Sequence, residues 1–328
     1  MSSTTTTPGG PQRAARRRRQ RLTFDRVSFM AVFLILPLAI FLLFVISPFV
    51  QALYYSLTNW TGFSPDMKFV GIDNYVKLFN DGIFMRAVVN NLLLLAVVPV
   101  VTIVLALAIA TVVTLGGPSK GTVSGLKGAG IYRIVSFFPF AVPSIVIGLI
   151  WAQVFDPGAG LLNGMLKAVG LTNFQDFAWL GKPTTAMPAS MWVMIWGGVG
   201  FYTVLFIAAI KGVPGETIEA ARIDGAGRLR TAWSVTLPQM RDNLQTAVVY
   251  LGIGALDGFV IMQAMNPQGG PQNSTLVMSQ QLLSTAFTKG QFGYATAMGV
   301  FLAVVTLLFS AIVFVLFRIT GKEDRGHA

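Results

Sequence analysis

"ASMWVMIWGGVGFYTVLFIAAI" (Ala189–Ile210) carries no charge and runs directly into "KGVPGETIEAARIDGAG" (Lys211–Gly227). A helix needs about 20 apolar residues to cross a bilayer core, and the first stretch meets that length. The second stretch is short and charged. Pro214 suits the first turn of a helix, where its missing N–H is not needed. Glu216 and Glu219 favour the positive amino end, and Gly225 is a natural stop. The pair reads as a lipid-crossing span followed by a helix lying at the membrane surface. A second short helix, Arg228 to about Val235, is expected before Pro238.

Further out in both directions, five more stretches are apolar enough to span: about Phe29–Leu53, Ala87–Leu115, Ile134–Phe155, Thr246–Met265 and Ala295–Phe317. Only the fifth in chain order carries a charge, Asp257. The composition agrees. Of the 328 residues, 54% are hydrophobic and 11% charged, against roughly 25% charged in soluble domains. The first apolar run is too long for a secretory signal and no small-residue cleavage site follows it, so it reads as a retained span. The expected fold is an all-α polytopic membrane protein with six transmembrane helices.

The loops orient these spans. Arg13, Arg16, Arg17, Arg18, Arg19, Arg21 and Arg26 precede the first span, and Lys120, Lys127 and Arg133 lie between the second and third. Lys211, Arg222, Arg228, Arg230 and Arg241 lie between the fourth and fifth, and Arg318, Lys322 and Arg325 follow the sixth. The opposite loops hold only Lys68, Lys77, Arg86, Lys167, Lys182 and Lys289. Basic residues favour the cytoplasm, so both termini are expected inside, in a multi-pass protein of a bacterial cell membrane. The net charge of +11 is therefore a topology signal touching anionic lipid headgroups, not a nucleic-acid footprint. The expected organisation is a basic cytoplasmic tail over 1–27, its first ten residues disordered, a transmembrane domain over 28–320 with a cytoplasmic loop over 211–241, and a cytoplasmic tail over 321–328.

Several chemistries are excluded. The chain has no cysteine and one histidine, His327, which leaves no thiolate site and no histidine triad. "GGPSKGT" (Gly116–Thr122) has the wrong spacing for a P-loop. No paired carboxylates or metal-ligand cluster occur within the spans, and the chain reads as a non-enzyme without a cofactor of its own.

The charged loop carries a more specific pattern. Glu219-Ala220-Ala221, then Gly225, then Val235-Thr236-Leu237-Pro238 resembles E-A-A-x3-G-x9-I-x-L-P, the signature of ABC importer permeases, with Val in place of Ile. "FLILPLAIFLLFVISPFVQALYYSLTNW", "FVGIDNYVKLF", "YRIVSFFPFAVPSIVIGLIWAQVFDPGAGLLN", "GGPQNST" and "AFTKGQFGYATAMG" are similar to the carbohydrate-type group that imports maltose and glycerol phosphate. One departure is "MNPQGGP", where that group often has Leu-Thr-x-Gly-Gly-Pro. The resemblance covers nearly the whole chain from Leu34 onward. It implies a type I ABC importer permease subunit that translocates a sugar or oligosaccharide. It also implies a second permease subunit, a different chain by family custom, an ATPase dimer that binds ATP and Mg, and an extracytoplasmic solute-binding protein. On this resemblance Glu219, Ala220, Ala221, Asp224, Gly225, Leu237 and Pro238 form the ATPase-coupling site.

Polar and aromatic residues within spans are the candidates for the solute pathway. An Asp at a helix centre costs about 2.5–3.5 kcal/mol on insertion scales, so Asp257 should face a cavity or a partner, with a place near a helix end or a structural pairing with the second permease as the alternative. Asn90, Asn91 and Gln153 are candidates that interhelical hydrogen bonds explain as well. Trp196 and Tyr202 could stack on a sugar, with core packing as the plainer reading. "WGGVGFY" (Trp196–Tyr202) and Gly254-x3-Gly258 read as tight helix packing, with hinges as the alternative. An ion-coupled secondary transporter would need several intramembrane acids or repeat-related halves. A membrane-embedded enzyme would need clustered catalytic groups.

Overall fold

The structure is a computed structural model that describes residues 24–115 and 129–323. Arg13 to Arg21, Lys120, Lys127, the Gly116–Thr122 stretch, Arg325 and His327 lie outside the described residues. The chain divides into two compact units, Met1–Gln51 and Ala52–Ala328.

Helix α1, Ser28–Tyr55, carries the first apolar span. It widens into π-helical turns at Ala31–Ile35 and Leu42–Ile46. Each widened turn ends two residues before a proline, Pro37 or Pro48. A proline ring clashes with the carbonyl four residues back, and an i→i+5 turn moves that carbonyl away. The same device recurs at Ala232–Thr236, ahead of Pro238.

The second unit holds α2 (Asp73–Asn80), α3 (Gly82–Leu115), α4 (Ala129–Ala141), α5 (Ser144–Val154), α6 (Leu161–Ala168) and α7 (Pro183–Lys211). Then follow α8 (Gly215–Ile223), α9 (Arg228–Thr231), α10 (Arg241–Asp257), α11 (Phe259–Met265), α12 (Met278–Leu283) and α13 (Phe292–Glu323). Among the described residues four helices, α1, α3, α7 and α13, are individually long and apolar enough to cross a membrane, and the count rises to six if α4–α5 and α10–α11 each form one bent span.

The third and fifth apolar stretches are therefore not the straight helices that hydropathy suggests. The α4–α5 pair bends by 98°. Pro143 has no N–H to continue the ladder and forces Val142 away from helical geometry; Pro143 itself is extended, with ψ 134°. The α10–α11 pair bends by 43° at Gly258, which is left-handed with φ 49°. That break removes the helical partners of the Ala255 and Leu256 carbonyls. Asn91, fully buried on α3, donates to both at 3.3 and 2.6 Å, and its Oδ1 accepts from the Met278 amide at 2.8 Å. Asn90 donates to the Asn273 and Leu276 carbonyls at 3.0 and 2.9 Å. A buried carbonyl without a partner costs free energy comparable to a lost hydrogen bond, so two adjacent asparagines stitch α3 to the broken α10–α11 pair and to the loop that follows it.

The core is built on α3 and α7. Ile103, Ala106 and Ala110 of α3 meet Tyr202, Phe206 and Ile210 of α7. On its other side α7 meets α4 so closely that a Cβ on Gly200 would collide with the Ser136 carbonyl. That supports the close-packing reading of the glycine-rich segment at Gly200. Gly254 behaves otherwise: a Cβ there would meet open space.

Candidate functional site

The loop between α7 and α10 begins with α8. Pro214 stands just before its first residue, and Gly225 closes it with φ +77°. The Ala226 amide donates to the Ala221 carbonyl at 2.9 Å, the six-to-one bond of a left-handed helix stop. The expected second helix starts at Arg228 as read, yet helical backbone continues through Pro238 to Gln239 because the widened turn at Ala232–Thr236 accommodates the proline.

This loop has two faces. Ile218 is 2% exposed and sits with Val213 and Met240 among α3 and α7 side chains. Leu237 packs partly buried against the same cluster. Glu216, Glu219, Ala220, Asp224, Gly225 and Pro238 are exposed, and Ala221 is half-buried. Two residues that sequence reasoning passed over stand out on the exposed face: Ile223 is 86% and Trp233 74% exposed. Large apolar side chains within an otherwise charged loop were the available signal. An anchored inner face below an outer face with carboxylates, a small-residue step and two apolar knobs is suited to docking on another protein.

The second feature is a groove of about 470 Å³ among the spans. Its wall comprises the α4–α5 elbow from Phe140 to Ser144, Gly197, Gly198 and Tyr202 of α7, and Tyr250 and Gly254 of α10. No charged side chain lines it. Of the pathway candidates, Tyr202 lies in this wall. Trp196, half-buried, precedes the groove-lining Gly197 and packs edge-on against Trp151 at 5.3 Å. Asn90 is buried, with its amide committed to loop carbonyls. Gln153 is exposed near the end of α5. Asp257 is exposed at the end of α10 and is not part of the groove wall; its backbone carbonyl accepts from Ser279 Oγ at 2.9 Å. Tyr250, Phe140 and Gly254 were missed as lining residues, because only the bends of the third and fifth spans bring them together.

Among the described residues, no group of three or more His, Cys, Asp or Glu could hold a metal ion. Bent apolar helices line an uncharged groove, and a two-faced helix lies in one loop, an arrangement that fits a membrane permease. The chain belongs to the family described as binding-protein-dependent transport system inner membrane component, which matches residues 113–322. It is similar to the diacetylchitobiose uptake system permease protein NgcF of Streptomyces coelicolor, 62% identical over 93% of this chain and 86% of the relative. It is also similar to the multiple sugar-binding transport system permease protein MsmF of Streptococcus mutans, 34% identical over 83% of this chain and 89% of the relative. Its fold matches a chain in the crystal structure of a bacterial ABC transporter that imports the acidic polysaccharide alginate, with TM-score 0.75, 22% identity and coverage of 90% and 96%. The chain is a carbohydrate-type ABC importer permease subunit, a multi-pass protein of the bacterial inner membrane, and not a secondary transporter.

Proposed function

We propose that this permease admits a neutral, amide-bearing disaccharide of the diacetylchitobiose class. It does so with a second permease chain, a solute-binding protein outside the membrane and an ATPase dimer that binds ATP and Mg²⁺ beneath it. The residues 28–320 form the permease domain, flanked by cytoplasmic tails over 1–27 and 321–328. The loop 211–241 faces the cytoplasm and meets the ATPase through Glu219, Ala220, Ala221, Asp224 and Gly225, with Leu237 and Pro238 holding its return limb. Ile223 and Trp233 join that contact. The observation that carries the reading is the two-faced α8, with Ile218 seated among the spans and Glu219 exposed opposite. The 62% identical diacetylchitobiose permease supports the substrate class, as does a groove without lining charge. The solute path follows that groove past Tyr202 and Trp196. Asp257 lies beside the break in the fifth span, Asn90 acts through the outer loop, and Gln153 stands near the outer end of α5.

Glu219→Lys tests the coupling assignment. Loss of one partner of an interfacial charge pair costs about 2–5 kcal/mol, so docking should weaken at least roughly 10-fold. The variant should reach the membrane, lose uptake and no longer co-purify with the ATPase. Glu219→Ala should be milder, since it adds no repulsion. Wild-type uptake of labelled diacetylchitobiose by Glu219→Lys would remove this loop from the coupling site.

A further inference from the structure

Arg241 is the first residue of α10, directly after the loop. Its Nη2 donates to the Phe317 carbonyl at 2.6 Å and to Thr320 Oγ1, and its guanidinium lies 5.6 Å from the Phe317 ring centroid. Phe317 and Thr320 belong to the last two turns of the described α13, where the helix dipole favours a cation. Higher up, α10 and α13 meet again where a Cβ on Gly252 would collide with the Phe309 ring. The neighbouring Met240, 4% exposed, turns inward to the cluster that holds Ile218. The groove-lining Tyr250 and Gly254 lie along the same α10. The helix thus carries the end of the loop at one extremity and part of the groove wall toward the other.

We propose that Arg241 is a positioning residue for transport. It pins the start of α10 to the end of α13, so that a displacement of the loop moves both helices together and shifts the groove wall. The proposal rests on the loop being the ATPase contact. A basic residue that only anchors the chain to lipid headgroups would need its charge, not these two acceptors.

The test uses the assembled importer. Because the chain has no cysteine, spin labels at Gln239→Cys and Ile319→Cys report the distance between the loop's end and α13. One narrow distance is expected with Arg241 present, and a broadened one in Arg241→Ala and in Thr320→Val. The same variants are reconstituted with binding protein loaded with diacetylchitobiose. The ratio of stimulated to basal ATPase rate should fall about 3-fold in Thr320→Val, through loss of one charge-assisted bond. It should fall about 10-fold in Arg241→Ala and no further in the double variant, since both substitutions break one interaction. Arg241→Lys should lie between. An unchanged distance distribution in Thr320→Val overturns the proposal, and so do losses that multiply in the double variant. An unmodified complex without stimulation refutes the substrate or coupling reading instead, and the distance measurement then decides the pin alone.

Discussion

Asn90 and Tyr202 are both polar side chains within apolar spans, and the structure gives them opposite surroundings. Asn90 spends its amide on two carbonyls of the loop between α11 and α12, whereas Tyr202 lies in the groove wall. Asn90→Leu should therefore act on stability. It strands the buried Leu276 carbonyl at about 1–3 kcal/mol, while the part-buried Asn273 carbonyl keeps the Leu276 amide at 3.3 Å, so the melting temperature of the purified complex should fall while the apparent affinity for solute in uptake stays unchanged. Tyr202→Ala should act on both measurements, raising the solute concentration for half-maximal uptake about 5- to 10-fold through loss of an aromatic face and also lowering the melting temperature, because Tyr202 packs in the α3–α7 core. Equal effects of the two variants on both measurements would show that the groove is not the path. Asp257 belongs at this scale too. It was legible in the sequence as a costly intramembrane charge, but its place outside the groove wall depends on the break at Gly258, one residue on.

At the scale of elements, sequence patterns revealed the apolar helices and where α8 begins and stops, because capping chemistry is local: Pro214 before its first turn, Gly225 after its last; the short helices α2, α6 and α12 were not read. Bends were less legible. Pro143 was visible, yet a proline in an apolar run is compatible with a mild kink, a widened turn or a break, and this chain uses more than one of them. Pro37, Pro48 and Pro238 follow π-helical turns within continuing helix, while Pro143 starts a new helix at 98° to the last. The difference lies in tertiary packing, where Ile147 of α5 is buried against α7 and Met265. Pro143→Ala restores an N–H and lifts the restriction on Val142, so it should favour a straighter third span and remove the elbow from the groove wall. Uptake should fall several-fold while the protein still inserts. Unaltered uptake kinetics in Pro143→Ala would show that packing alone maintains the elbow and that the proline is dispensable.

For the whole molecule, the open question in the sequence reading is whether the two bent pairs cross the bilayer. Among the described residues four helices are long and apolar enough to span, and six if α4–α5 and α10–α11 each cross. A right-angled elbow is also the geometry of a segment that dips in and returns on the same side. The two possibilities predict different sidedness for the loops. If the α4–α5 pair returned, Gln175 would share a side with the segment before α4, and the loop holding Ser234 would move to the opposite face. The charge distribution argues for crossing: Arg133 stands at the start of α4 on the arginine-rich side, and only Lys167 and Lys182 follow α5 before the next span. The absence of cysteine from the chain makes the test direct. Single cysteines at the exposed positions Thr61, Gln175, Gln291, Ser234 and Gln239 are to be probed with a membrane-impermeant maleimide in intact cells and after permeabilisation. Thr61→Cys, Gln175→Cys and Gln291→Cys should label in intact cells, and Ser234→Cys and Gln239→Cys only after permeabilisation. Labelling of Ser234→Cys from outside, with Gln175→Cys protected, would convert the elbow into a re-entrant segment, place the α8 loop outside the cell and rule out its contact with a cytoplasmic ATPase.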